Sequence, residues 1–258
     1  MTTHTTPTTS APDHSGDVRN RNRGRVERHD KRVRAVFAGH VVADTTRPLL
    51  VWEVPYFPTY YLPRDDVRTG LLEFTDRTRT SPTRGTGRIG HLRLGAHTAT
   101  DAVTEYPESP IELLRDHVRL DFGAMDAWFE EDEQIYTHPR DPYVRIDILP
   151  SSRHVRVDVD GVTVADTRGA RLLFETNLPT RYYLPKPDVR LDLLEPSDTV
   201  THCPYKGQAE YWSVRVGETP VPDLVWSYPT PLPESERIAG FVCVPQEHAE
   251  VSVDGVRV

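Results

Sequence analysis

The chain has 258 residues but only two cysteines, Cys203 and Cys243, and two methionines. Two thiols cannot supply a disulfide framework or a four-thiolate zinc site. Either one disulfide joins them, or both are reduced as in a cytosolic protein. No apolar run approaches the roughly 20 residues of a membrane-spanning helix, and the N-terminal stretch lacks the apolar core of a signal peptide. Helical pattern is scarce: 23 prolines stand against 15 glycines, a balance that favours short strands and turns. Also missing are a Gly-rich phosphate loop, a His pair at metal-binding spacing on a helix, and a nucleophile-elbow serine. The sequence therefore calls for no cofactor and no metal.

Negative charge dominates outside the N-terminal segment. Residues 1–34 carry eight Lys/Arg and four Asp/Glu, net +4 of a formal −8, which leaves the remainder at −12. Affinity for nucleic acid comes largely from cations that release counterions, so an acidic body argues against a nucleic-acid partner. A local pocket for one anionic small molecule is compatible with it. "MTTHTTPTTSAPDHSG" has too little apolar surface to offset its ordering entropy and is expected to be disordered. The basic arm that follows, "RNRNRGRVERHDKR", is either a solvated tail or a tether to an acidic partner.

What the chain does contain is itself, twice. "VVADTTRPLLVWEVPYFPTYYLPRDDVRTGLLEF" from Val41 matches "TVADTRGARLLFETNLPTRYYLPKPDVRLDLLEP" from Thr163. Asp44 falls on Asp166, Tyr60 on Tyr182, Gly85 on Gly207 and Tyr106 on Tyr228, always 122 positions apart. About a third of the paired positions are identical, and the period is too long for a solenoid unit. This is a duplicated domain, with a boundary near "LPSSRHV" at 149–155. Each copy alternates apolar and polar residues around turn signals, as in "VRVDVDGVTVADT" with its Asp160-Gly161. "SPIELLRDHVRL" has apolar residues at helical spacing after a plausible cap, and "PESERIAGF" suits one or two helical turns. The expectation is a mainly β protein: two homologous small β-barrel- or sandwich-like domains in tandem, with few short helices, packed as an intramolecular pseudo-dimer. Residues 1–32 are read as a disordered basic tail. Residues 33–150 form the first repeat domain, with a degenerate site and a helical insertion at about 110–128. Residues 151–258 form the second, which carries the working site.

That assignment rests on what only one copy has. The second reads "CPYKGQAEYWSVRVG" where the first reads "SPTRGTGRIGHLRLG". Cys203 faces Ser81, Tyr205 faces Thr83, Lys206 faces Arg84, Glu210 faces Arg88, Trp212 faces Gly90, and Trp226 faces Thr104. Packing alone would more readily exchange apolar residues of similar size. A thiolate is the nucleophilic form of cysteine, and a nearby lysine favours it. Cys203 is therefore the candidate nucleophile, Lys206 its activator or an anion anchor, and Glu175 or Glu210 a general acid/base. Trp212, Trp226 and Tyr228, joined by Tyr183 and Tyr205, are candidates to wall a pocket. Arg190, in "YYLPKPDVR", is either an anion-binding group or half of an ion pair with Asp188 on one strand face. The alternative for the whole set is structural: a small buried thiol, a solvated lysine and core aromatics.

"RYYLPKPDV", "CPYKGQAEYWSV", "LVWSYPTPLPE" and "IAGFVCV" resemble a bacterial and fungal family, the domain of unknown function 427, also labelled nucleotidyltransferase-like. The first copy matches more loosely through "TYYLPRDDV" and "SPTRG". The resemblance spans nearly everything after the tail and implies a small, mostly β domain. It implies little about reaction, since the paired acidic metal ligands and Gly-Ser entry of nucleotidyltransferases are missing here. The functional expectation is a cytoplasmic small-molecule enzyme or enzyme-like pocket in the second repeat. A non-catalytic module for a metabolite or nucleotide and a structural interaction protein are the alternatives.

Overall fold

The computed structural model describes residues 24–217 and 220–258. It divides into two compact units between Gln134 and Ile135. Unit 1 contains β1 (Val26–Arg28), β2 (Val33–Phe37), β3 (His40–Thr45), β4 (Leu49–Val51), β5 (Thr59–Pro63), β6 (Leu72–Ser81), β7 (Gly85–Leu94), β8 (His97–Glu105), β9 (His117–Leu120), β10 (Ala127–Glu130) and β11 (Glu133–Ile135), the last lying at the division. Unit 2 continues with β12 (Ile146–Pro150), β13 (Val155–Val159), β14 (Val162–Thr167), β15 (Arg171–Glu175), β16 (Arg181–Pro185), β17 (Leu194–Cys203), β18 (Gly207–Val214), β19 (Val221–Ser227), β20 (Phe241–Cys243), β21 (Glu250–Val253) and β22 (Val256–Arg257).

Each unit is an open sandwich of two sheets, not a closed barrel. Unit 1 has a seven-stranded sheet in the order β1-β4-β5-β9-β8-β7-β6 and a four-stranded sheet β11-β10-β2-β3. Unit 2 repeats the plan as β12-β15-β16-β20-β19-β18-β17 and β14-β13-β21-β22. The hairpin readings hold. Asp160-Gly161, Ala38-Gly39 and Asp254-Gly255 all have positive φ at both turn residues, the geometry that matches the twist of paired strands.

In unit 2 the large sheet buries both faces. Val155, Val157 and Val164 of the small sheet pack against Tyr182, Leu184, Val214, Val225 and Val242 of the large one. The opposite face of the large sheet carries a second cluster: Ile148, Leu173, Tyr183, Ala209, Tyr228, Ile238 and Cys243. Strand alternation explains the split, since Tyr182 and Tyr183 are neighbours yet point to opposite sides. Burying each large side chain is worth about 1.5–3 kcal/mol.

Three expectations need correction. The basic tail does not extend to residue 32, because Val26–Arg28 is a strand paired with Leu49–Val51; residues 1–23 lie outside the described residues. The repeat boundary is likewise earlier than 150. Ile146–Pro150 pairs with Arg171–Glu175 as β1 pairs with β4, so it belongs to the second unit and not to the first. The supposed helical insertion at 110–128 is neither helical nor an insertion. It holds two 3-10 turns, Glu112–Leu114 and Phe122–Ala124, and the strand β9, whose partner Leu62 matches the Leu184 that pairs with β20. Ile111, Leu114 and Val118 mimic helical spacing, but Val118 and Leu120 are buried at strand spacing with His117 and Arg119 between them. "PESERI" is likewise 3-10, with Pro233 at its start.

Candidate functional site

The second cluster of unit 2 is where the chemistry collects. In the sheet order, four strand spacings separate β15 from β18, about 19 Å in a flat sheet. Yet Lys206, in the turn between β17 and β18, places Nζ 2.5 Å from Glu175 Oε2 at the end of β15. The sheet must curl over its own outer face for those groups to meet. Gly207 follows Lys206 with φ +95, a left-handed conformation that suits glycine and turns the chain into β18.

The ammonium and carboxylate are nearly sealed from water, at 10% and 9% side-chain exposure. Nζ also lies 3.6 Å from Cys203 Sγ. Cys203 is partly exposed and Cys243 is fully buried; both are free thiols, so the disulfide alternative falls away. Burial pushes the Cys243 thiol up to about 12, which leaves it protonated and inert at neutral pH.

Tyr183, Tyr228 and Trp226 join this group, and Trp226 Nε1 donates to Tyr183 Oη at 3.4 Å. Desolvation raises both phenols well above the ordinary tyrosine range, so both stay neutral. Tyr205 is buried beside the lysine, and its hydroxyl accepts from Asp141 N–H at 2.7 Å. Tyr211 and Trp226 also line a cavity of about 670 Å³, shared with Arg181, Asp223, Glu247 and His248. Arg181 donates to Glu247 at 2.6 Å and lies 5.9 Å from the Trp226 ring centre.

Three candidates lie elsewhere. Glu210 is exposed, and it shares a β18 face with Trp212, which packs into the core between the sheets. Arg190 is exposed and pairs with Asp192 at 2.6 Å. Its expected partner Asp188 sits in a 3-10 turn and accepts instead from Thr167 Oγ1 at 2.5 Å. A period-2 reading of Asp–Val–Arg fails because the chain turns there.

The sequence reading also missed a wall of the site. Residues 136–141 pack on the β17–β18 turn: Tyr136 stacks on His202 at 4.4 Å, Arg140 Nε donates to Pro204 O at 2.8 Å, and Asp141 meets Tyr205. The aromatic, charged and proline-rich "QIYTHPRDPYV" was the available signal, hidden by its assignment to the first domain.

Unit 1 is not an emptied copy. Glu53 and Arg84 occupy the positions of Glu175 and Lys206, and Arg84 Nη2 is 3.7 Å from Glu53 Oε1. Tyr61 donates to Glu53 at 2.6 Å, which together with burial raises the phenol well above its usual range. Arg119 lies opposite Thr104 as Cys243 lies opposite Trp226. Its Nε reaches within 3.7 Å of Glu53 Oε2. A second guanidinium thus stands where unit 2 has a neutral thiol. Among the described residues, no helix is long and apolar enough to cross a membrane.

A family model described as Domain of unknown function (DUF427) matches residues 25–131 and again 147–255. The chain belongs to this family, in tandem form. Each match begins at the edge strand that opens a sandwich and ends in its small sheet, so the two matches coincide with the two structural repeats. A search of curated proteins finds no match.

Proposed function

We propose that unit 2 is a small-molecule enzyme site, or an enzyme-like pocket, in which Cys203 is the nucleophile. One observation carries this reading: the accessible thiol, not the buried one, has an ammonium at 3.6 Å whose other side is fixed by a carboxylate. An ammonium in that position stabilises negative charge on sulfur or on an oxygen developing beside it. In an attack on an electrophilic carbonyl carbon, the S–C bond forms as the π pair moves to oxygen. Lys206 then faces the oxyanion and Glu175 holds Lys206 in place. Trp226, backed by the buried Tyr183 and Tyr228, gives the acceptor neutral aromatic surroundings. The substrate class is a polar or anionic small molecule. Both thiols being unpaired suits a reducing, cytoplasmic setting.

Iodoacetamide tests this directly. Cys203 is expected to be alkylated at neutral pH faster than a free model thiol, with Cys243 unlabelled until the protein unfolds. Labelling of Cys203 no faster than the model thiol removes the nucleophile role.

A second reading, a non-catalytic binding module, draws on a different observation: the buried carboxylate–cation pair occurs in both repeats, with and without the thiol. Native mass spectrometry of purified wild type and Cys203→Ala separates the two. A small molecule retained equally by both proteins, with no covalent adduct in wild type, supports binding alone.

A further inference from the structure

We propose that unit 1 carries a separate binding site for a small oxyanion, a carboxylate or phosphate group. A cavity of about 190 Å³ opens over the Glu53–Arg84 pair and is lined also by Arg79, Ser81, Thr83 and Tyr106. It exists because Ser81 and Thr83 are smaller than the Cys203 and Tyr205 that occupy the same positions in unit 2. The space is large enough for a small group of a few heavy atoms.

The guanidiniums around this cavity are under-used. Arg84 is nine-tenths buried in the lining, yet among the described residues its Nε has no hydrogen-bond acceptor; Arg119, outside the lining and facing the other oxygen of Glu53, also has a buried Nε without one. A buried charged N–H without a partner is costly, so the Arg84 donor in the cavity wall points to an absent acceptor. Glu53 is already occupied, taking the Tyr61 hydroxyl on Oε1 and facing a guanidinium at each oxygen. The local charge favours an anion. In the lining Arg79 and Arg84 stand against Glu53, which leaves a net positive charge beside hydroxyls able to donate. A guanidinium edge and two hydroxyls are the groups that recognise an oxyanion. Unit 2 offers no equivalent: its cation is a lysine already shared between Glu175 and Cys203, and Arg119 is replaced by Cys243.

The test is calorimetric titration of the full chain with inorganic phosphate and, separately, acetate. Wild type is expected to bind at least one of them saturably, the tighter of the two naming the group the site takes. Arg84→Lys keeps the charge but deletes the Nε donor, and is expected to weaken binding about tenfold, the loss of one charge-assisted hydrogen bond. Arg79→Gln, at an exposed position that leaves the buried network intact, is expected to weaken it a few-fold by charge; it decides the matter should Arg84→Lys fail to fold. Lys206→Met is expected to leave the titration unchanged. Absence of saturable binding of either probe overturns the proposal, as does binding that Arg84→Lys and Arg79→Gln leave intact or that Lys206→Met abolishes.

Discussion

Units 1 and 2 fold the same sandwich and curl the same seven-stranded sheet, but they finish its outer face differently. In both, a carboxylate at the end of one strand meets a cation from a turn four strands away: Glu53 with Arg84, Glu175 with Lys206. That shared clasp belongs to the architecture. What differs is everything around it. Unit 2 surrounds the clasp with an accessible thiol, an indole and phenols over a neutral, buried Cys243. Unit 1 replaces the thiol by Ser81 and the buried thiol by Arg119, and opens a small basic cavity. The lesson is that duplication fixed a curled frame with one ion pair. The chemistry was then set by the side chains that touch the pair.

Breaking the clasp should produce the largest effects. Removing one member of a largely buried ion pair leaves an uncompensated charge and costs about 3–5 kcal/mol. Glu175→Gln and Glu53→Gln should each cost this much in chemical denaturation. The unit 1 change should be the more severe, because it strands two guanidiniums in place of one ammonium. Equal losses would mean that Arg119 does not share Glu53.

A pH scan gives the next effect. Burial raises Cys243 from 9.0 to about 12, so the folded protein keeps a proton that the unfolded chain releases above pH 9. The stabilisation is complete below pH 9 and is lost as pH rises towards 12. At about 1.4 kcal/mol per unit this approaches 4 kcal/mol. Cys243→Ala should flatten that part of the profile, and a wild-type stability constant between pH 8 and 11 would contradict the buried placement. Smaller again is Tyr205→Phe, which removes the acceptor of the buried Asp141 N–H and should cost about 1–3 kcal/mol in unit 2 alone. Smallest is Arg190→Ala, which should leave stability essentially unchanged because its ion pair with Asp192 is exposed. It should also leave Cys203 labelling unchanged, since the side chain is remote from the thiol.

The repeat, its register and the Asp160-Gly161 hairpin were legible because strand period and Asp-Gly turns are local signals. Cys203, Lys206 and Trp226 were found by asking what one copy has and the other lacks, whereas Glu175, Tyr183 and Tyr228 stand opposite Glu53, Tyr61 and Tyr106; the six do meet. Glu210 and Trp212 were drawn in by the same contrast. Sequence proximity to Cys203 hid the fact that β18 sends alternate residues to opposite faces, with Trp212 in the sandwich core. The role of Arg119 was illegible for another reason. The 122-residue register ends near Pro107, and the β9–β20 match is offset by two more residues, so Arg119 and Cys243 did not align until their strand partners were seen. The clasp itself could not be read either, because it depends on how far the sheet curls.

The central claim is that Lys206 and Cys203 act together. It is tested most directly by the iodoacetamide rate at Cys203 in wild type and Lys206→Met, measured at pH 7 with folding confirmed by circular dichroism. The account predicts a fall of about tenfold in the variant, since the ammonium that stabilises charge on sulfur is gone and Glu175 remains. Equal rates in the two folded proteins would contradict it.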